Sequence, residues 1–102
     1  MASQYLPRTL SITVASATGT VIIPKAYAGP CIGIAVTPPG AVKTTTFDFE
    51  IFDSTDVGQD GEIGCVGPTT HHERIQLHDG GSIDLTNCSV DGEYSIRLWY
   101  DE

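Results

Sequence analysis

Apolar and polar residues alternate along several stretches of this chain with a period of two, the mark of a half-buried β-strand. Leu10, Ile12 and Val14 share one face, with Thr9, Ser11 and Thr13 on the other. Ile32, Ile34 and Val36 repeat the pattern, and Phe47, Phe49 and Ile51 alternate with Asp48 and Glu50. Near the end, Tyr94, Ile96, Leu98 and Tyr100 fall on an inner face, and Glu93, Ser95, Arg97 and Trp99 on an outer one. No window shows a helical period, and Thr, Val and Ile are frequent throughout, so helix content should be near nil.

Turn signals punctuate these stretches at Thr18-Gly19, Gly29-Pro30, Pro38-Pro39-Gly40, Gly58 to Gly61, Gly67-Pro68, Asp79-Gly80-Gly81 and Asp91-Gly92. Short strands at this spacing predict an all-β fold, a single β-sandwich of about eight antiparallel strands. A jelly-roll-like order is expected, with an immunoglobulin-like sandwich as the alternative. Residues 1–8 read as an N-terminal arm and 9–102 as the sandwich. In the arm, Tyr5 and Leu6 precede Pro7, and the segment either docks on a neighbour or completes the domain's own sheet. One hairpin is predicted in register. A three-residue loop, Asp79-Gly80-Gly81, sets Leu77 opposite Ile83 and Ile75 opposite Leu85, with Gly81 left-handed, whereas a two-residue turn mixes the faces.

Charge is divided along the chain. All thirteen acidic residues follow Phe47, and the residues up to that point carry only Arg8, Lys25 and Lys43. The first part is therefore net +3 and the second, with Arg74 and Arg97, net −11, for an overall −8. A folded segment without a carboxylate suits a surface held against another molecule, while the acidic part faces water or a basic partner. The overall charge disfavours nucleic-acid binding, which depends on Lys and Arg. The start, Met1-Ala-Ser-Gln, lacks the basic and apolar regions of a secretory signal. The apolar stretch from Ala26 to Val36 is far short of the ~20 residues that span a bilayer, so no membrane role is expected.

Candidate chemistry is sparse. Cys31, Cys65 and Cys88 are odd in number and without a C-x-x-C pair, and read as reduced thiols packed as small hydrophobes. His72 and His78 would lie ~20 Å apart on one strand face, with His71 pointing the other way, so the three histidines read as surface or edge residues and not as one metal site. Asp56, Asp60 and Glu62, in the segment from Asp53 to Glu62, offer oxygen ligands for Ca²⁺, but the spacing is not that of an EF-hand and suits a long solvated loop. Asp48 and Glu50, about 7 Å apart on one strand face, have a spacing usable for glycoside cleavage but read as the wet side of the strand. No G-x-S-x-G, H-E-x-x-H or phosphate-cradling motif occurs. The expectation is no catalytic residue, no bound metal and no cofactor.

Aromatics on polar faces are more telling. Trp99 and Arg97 share an outer face, and Phe52 shares one with Asp48 and Glu50; with Tyr5 and Leu6 these are the candidate interface residues. The segments Cys31-Ile-Gly-Ile-Ala-Val-Thr-Pro38, Thr44-Thr-Thr-Phe-Asp-Phe-Glu-Ile-Phe-Asp53 and Asp91-Gly-Glu-Tyr-Ser-Ile-Arg-Leu-Trp-Tyr100 resemble those of small all-β structural proteins of tailed-bacteriophage virions. The resemblance implies a capsid decoration (cement) role, or that of a tail or adaptor accessory. It also implies location in the virion, a homotrimer or other homo-oligomer, and the major capsid protein or other virion subunits as partners. A carbohydrate- or Ca²⁺-dependent binding module is the alternative from the residues themselves.

Overall fold

The alternating segments become strands in a computed structural model that describes residues 8–101. Among these residues nine strands occur: β1 (Arg8–Val14), β2 (Gly19–Ile22), β3 (Gly29–Thr37), β4 (Thr46–Phe52), β5 (Gly58–Val66), β6 (Thr69–His71), β7 (Ile75–Leu77), β8 (Ser82–Thr86) and β9 (Gly92–Tyr100). The only helical pieces described are two 3-10 turns, Lys25–Tyr27 and Pro39–Ala41. One sheet has the order β1-β9-β3, with β6 and β7 both pairing along the remaining side of β3. The other has the order β2-β8-β4-β5, and every pairing is antiparallel.

The pairings nest. β1 lies against β9, β2 against β8, β3 against β6 and β7, and β4 against β5. This is one long antiparallel hairpin with its tip between β4 and β5, rolled so that its strands divide between two facing sheets. Rolling adds the β3–β9 and β4–β8 pairs.

The inner faces supply the core. Ile12, Val14, Ile34, Val36, Tyr94, Ile96 and Leu98 come from the first sheet, and Phe47, Phe49, Ile51, Ile83 and Leu85 from the second; all are buried in one cluster. Burying each such side chain contributes about 1.5–3 kcal/mol. Phe47 meets Tyr94 across the sandwich edge-to-face, with centroids 5.9 Å apart at 78°. The Tyr94 hydroxyl donates to the Val90 carbonyl at 2.6 Å, and burial pushes its pKa up to about 12. Cys31, Cys65 and Cys88 are free and buried, as small hydrophobes would be, and burial raises all three thiol pKa values.

Five expectations need correction. The Asp79-Gly80-Gly81 loop does not join paired strands: β7 pairs with β3 and β8 with β2 and β4, so the chain crosses between sheets there. Ile75, Leu77, Ile83 and Leu85 are indeed all buried, but they enter the core from different sheets. The left-handed residue is Gly80 (φ 85°), and Gly81 is needed for a different reason: a Cβ there would stand 2.4 Å from the Phe52 carbonyl oxygen. Arg8, assigned to the arm, is the first residue of β1 and pairs with Leu98. The loop expected from Asp53 to Glu62 ends early, because β5 starts at Gly58. The first turn centres on Ser16 and Ala17, both left-handed, and not on Thr18-Gly19; the Asp91 carboxylate accepts from their amides at 3.1 and 3.0 Å.

Candidate functional site

The register assigns each strand residue to an inner or outer face, and the two outer faces differ in charge. On the first sheet the outward positions are Thr9, Ser11 and Thr13 of β1, Gly33, Ala35 and Thr37 of β3, Thr70 of β6, and Glu93, Ser95, Arg97 and Trp99 of β9. This face has one acid, Glu93, one base, Arg97, the large neutral Trp99, and otherwise small neutral groups. On the second sheet, Asp48 and Glu50 of β4 and Asp84 of β8 face outward with Thr20, Thr46, Phe52 and Thr86, and no base joins them. Glu50 stands directly opposite Asp84. The Asp84 side chain is half-buried, and its Oδ1 has no hydrogen-bond partner. Asp48 accepts from Asn87 Nδ2 and from the Gly64 amide, both at 2.8 Å. Those bonds, the Asn87 one first, hold its carboxyl below the usual range, the reverse of what a general acid requires.

The neutral face has a groove of ≈ 480 Å³ lined by Ile32, Gly33, Thr70, His72 and Trp99. Gly33 is its floor: a Cβ there would touch the Trp99 ring at 3.7 Å and His72 Nδ1 at 3.8 Å. The register shift between Cys31 and Gly33 marks a bulge in β3 at Ile32. The half-buried indole and the imidazole thus flank a short strip of bare backbone.

A second constellation occupies the flank where β5, at the edge of one sheet, faces β6, at the edge of the other. In β5, Asp60 and Glu62 pair with the inward-facing Ile51 and Phe49 of β4, so their carboxylates turn into the sandwich opening. His71 of β6 pairs with the inward-facing Ile34 and also turns in. Its imidazole packs edge-on against Phe49, centroids 5.6 Å apart, and is only 13% exposed. Nδ1 contacts Glu62 Oε1, while Nε2 lies 3.0 Å from Asp60 Oδ2 and 3.3 Å from Glu73 Oε2. Burial opposes protonation of His71, but the hydrogen bonds to Asp60 and Glu62 outweigh it and raise the imidazole above its ordinary value. Burial likewise works against ionisation of Asp60, and the bonds from His71 and the Gly61 amide prevail to lower it.

Sequence reasoning found part of this. Asp60 and Glu62 were singled out, but with Asp56, which stays in the turn held by Asp53 and is not in the cluster. His71 does point opposite to His72, yet it is not a surface residue: inward parity carries it between the sheets. The signal that joins them is parity on two edge strands, which requires knowing that β5 and β6 face each other. Of the interface candidates, Arg97 is exposed and Trp99 half-buried on the neutral face, whereas Phe52 lies half-buried on the acidic face, so the three do not form one patch. Tyr5 and Leu6 lie outside the described residues. No protein-family model and no curated protein matches the chain.

Proposed function

We propose that this chain is a non-enzymatic structural protein of a tailed-bacteriophage virion, a decoration protein that self-associates and docks on the major capsid protein. The observation that carries this reading is the contrast between the two outer faces. Charged residues are depleted from the cores of protein interfaces because desolvating them is costly. The face with Thr9, Ser11, Thr13, Ala35, Thr37 and Trp99 carries only Glu93 and Arg97 as charged groups, one of each sign, and Trp99 supplies an aromatic anchor. The acidic face suits the solvent side of a particle, where like charge keeps assemblies apart. Ile63 (90% exposed) and Val66 (58%) on the edge strand β5 offer apolar contact area for a neighbouring copy. We read the nested strand order as that of a jelly roll, an architecture common among capsid proteins.

The test is co-sedimentation of purified protein with undecorated capsids, together with native mass measurement. Binding and an oligomeric mass are expected, with Trp99→Ala weakening capsid binding at least tenfold while the fold persists. A strictly monomeric protein that stays in the supernatant would end this reading. The Trp99 groove supports a second one, a carbohydrate-binding module that stacks a sugar on the indole. Calorimetry against a glycan panel separates them: heat of binding that Trp99→Ala abolishes favours the module.

A further inference from the structure

We propose that Asp60, His71 and Glu73 bind a divalent first-row transition-metal ion, Zn²⁺ or Mn²⁺, that links the two sheets at their open flank. Geometry is the first argument. A tetrahedral ion with bonds of ~2.0–2.1 Å has ligand atoms about 3.3 Å apart along each edge. His71 Nε2 lies 3.0 Å from Asp60 Oδ2 and 3.3 Å from Glu73 Oε2, and the three ligand atoms all lie within 4.8 Å of one another. Those separations are close to the edge length that such an ion requires.

The orientation of the imidazole is a second and separate observation. Glu62 takes the Nδ1 side of His71. A carboxylate on the non-ligating nitrogen is the usual outer support of a metal-bound histidine, because it fixes the tautomer that leaves the Nε2 lone pair free. Here Nε2 faces two carboxylates, which a ring proton holds in the metal-free protein; a divalent cation would take that proton's place between them.

Charge balance is the third. Three carboxylates converge on one imidazole, and among the described residues no Lys or Arg forms an ion pair with any of them; the Arg74 guanidinium is taken by Asp101. A divalent ion supplies the missing positive charge. The imidazole ligand selects against Ca²⁺ and Mg²⁺, which prefer all-oxygen shells, and favours Zn²⁺ or Mn²⁺. Glu73, 57% exposed, leaves a route in from solvent and room for water to complete the shell. Because Asp60 belongs to β5 and His71 to β6, the bound ion ties together two edge strands of different sheets. This inference is independent of the virion reading and stands or falls separately.

The experiment uses the full chain without a polyhistidine tag, stripped with EDTA and titrated by calorimetry with Zn²⁺ or Mn²⁺, with Ca²⁺ and Mg²⁺ as comparators. One saturable site is expected for a transition ion, with a rise in melting temperature of at least ~5 °C at saturating metal. His71→Gln and Glu73→Gln should each weaken binding tenfold or more, and Glu62→Gln by roughly 10–100-fold through the lost outer support. The double variant His72→Gln/His78→Gln should bind like the parent. Glu73 is exposed enough that Glu73→Gln will fold even if His71→Gln does not, and circular dichroism checks both. Absence of saturable binding at 100 µM metal would overturn the proposal and leave the cluster as a proton-held ion cage. So would unchanged affinity in Glu73→Gln, or affinity lost in the His72/His78 variant.

Discussion

Replacing Asp84 by Asn should make this protein more stable, against the general tendency of substitutions to destabilise. Asp84 stands directly opposite Glu50 on the outer face of the second sheet, and Asp48 lies diagonally beside it on the same strand as Glu50. Cross-strand neighbours have Cβ atoms ~4.5–5.5 Å apart. Two unit charges at ~5.5 Å repel by about 0.8 kcal/mol at the dielectric of water, and by more where the carboxylate is half-buried, as Asp84 is. Asp84 Oδ1 also lacks a hydrogen-bond partner, and an amide oxygen there is less costly to desolvate than a carboxylate oxygen. Together these predict a gain of about 1 kcal/mol for Asp84→Asn, or a melting temperature higher by roughly 4–8 °C for a domain of this size. Urea denaturation at 50 mM and 1 M NaCl measures it. In 1 M salt the screening length falls to ~3 Å, so the gain should shrink by more than half. Glu50→Gln made in the Asp84→Asn background should add less than it does alone. Loss of stability in Asp84→Asn, or a gain indifferent to salt, would refute the repulsion argument. If the gain appears, the acidic face is maintained at a cost in stability, which is expected of a surface kept for function.

Three further outcomes follow from named contacts. Gly81→Val should destabilise by more than 2 kcal/mol, read from the urea midpoint, because any Cβ at this position meets the Phe52 carbonyl at 2.4 Å. Ala17→Gly should stabilise by roughly 1 kcal/mol by relieving a left-handed alanine (φ 69°), seen as a higher melting temperature. Asp48, whose carboxyl the Asn87 and Gly64 hydrogen bonds hold below its ordinary range in the folded protein, contributes stability that is fully present above that range and is lost as pH falls through the lower folded value. Asp48→Asn should therefore flatten the acid limb of a stability-versus-pH curve below about pH 4 and leave the pH dependence near neutrality unchanged.

Alternation along β1, β4 and β9 told inside from outside correctly, because a buried face demands apolar side chains at every second position. In β3 it failed at Ile32, which was expected inside with Ile34 and Val36 but is turned to the outer groove by the bulge, while Cys31 takes the buried position. It did not tell one sheet from the other. Ile75, Leu77, Ile83 and Leu85 have the parity of a hairpin and equally that of two strands from different sheets that share a core, and the structure takes the second option. The same limit hid the cluster around His71. Asp60, Glu62 and His71 occupy inward positions on strands that sequence proximity would join, yet those strands lie at the edges of different sheets. Polar residues at inward positions read as a loop or a surface until the flank is seen to be open. The division of charge along the chain was legible as composition, but its meaning changed. The carboxylate-free strands β1 and β3 fall in the same sheet as β9, which adds only Glu93, so a difference between chain halves becomes a difference between faces.

The nesting of the strands also determines the order in which this chain can fold. The outermost pair joins Arg8 to Leu98, about 90 positions apart, whereas the innermost joins Phe52 to Gly58. Closing the outer pair first costs about 2–3 kcal/mol more loop entropy than closing the inner one, from the logarithmic dependence on loop length. The economical route is a zipper that starts at the β4–β5 tip and proceeds outward, each strand pair shortening the loop left for the next. Mutations in β4 and β5 should slow folding, and those in β1 and β9 should speed unfolding instead. On the ribosome the last pair cannot close until β9 has emerged, so the inner face of β1 stays uncovered for most of synthesis.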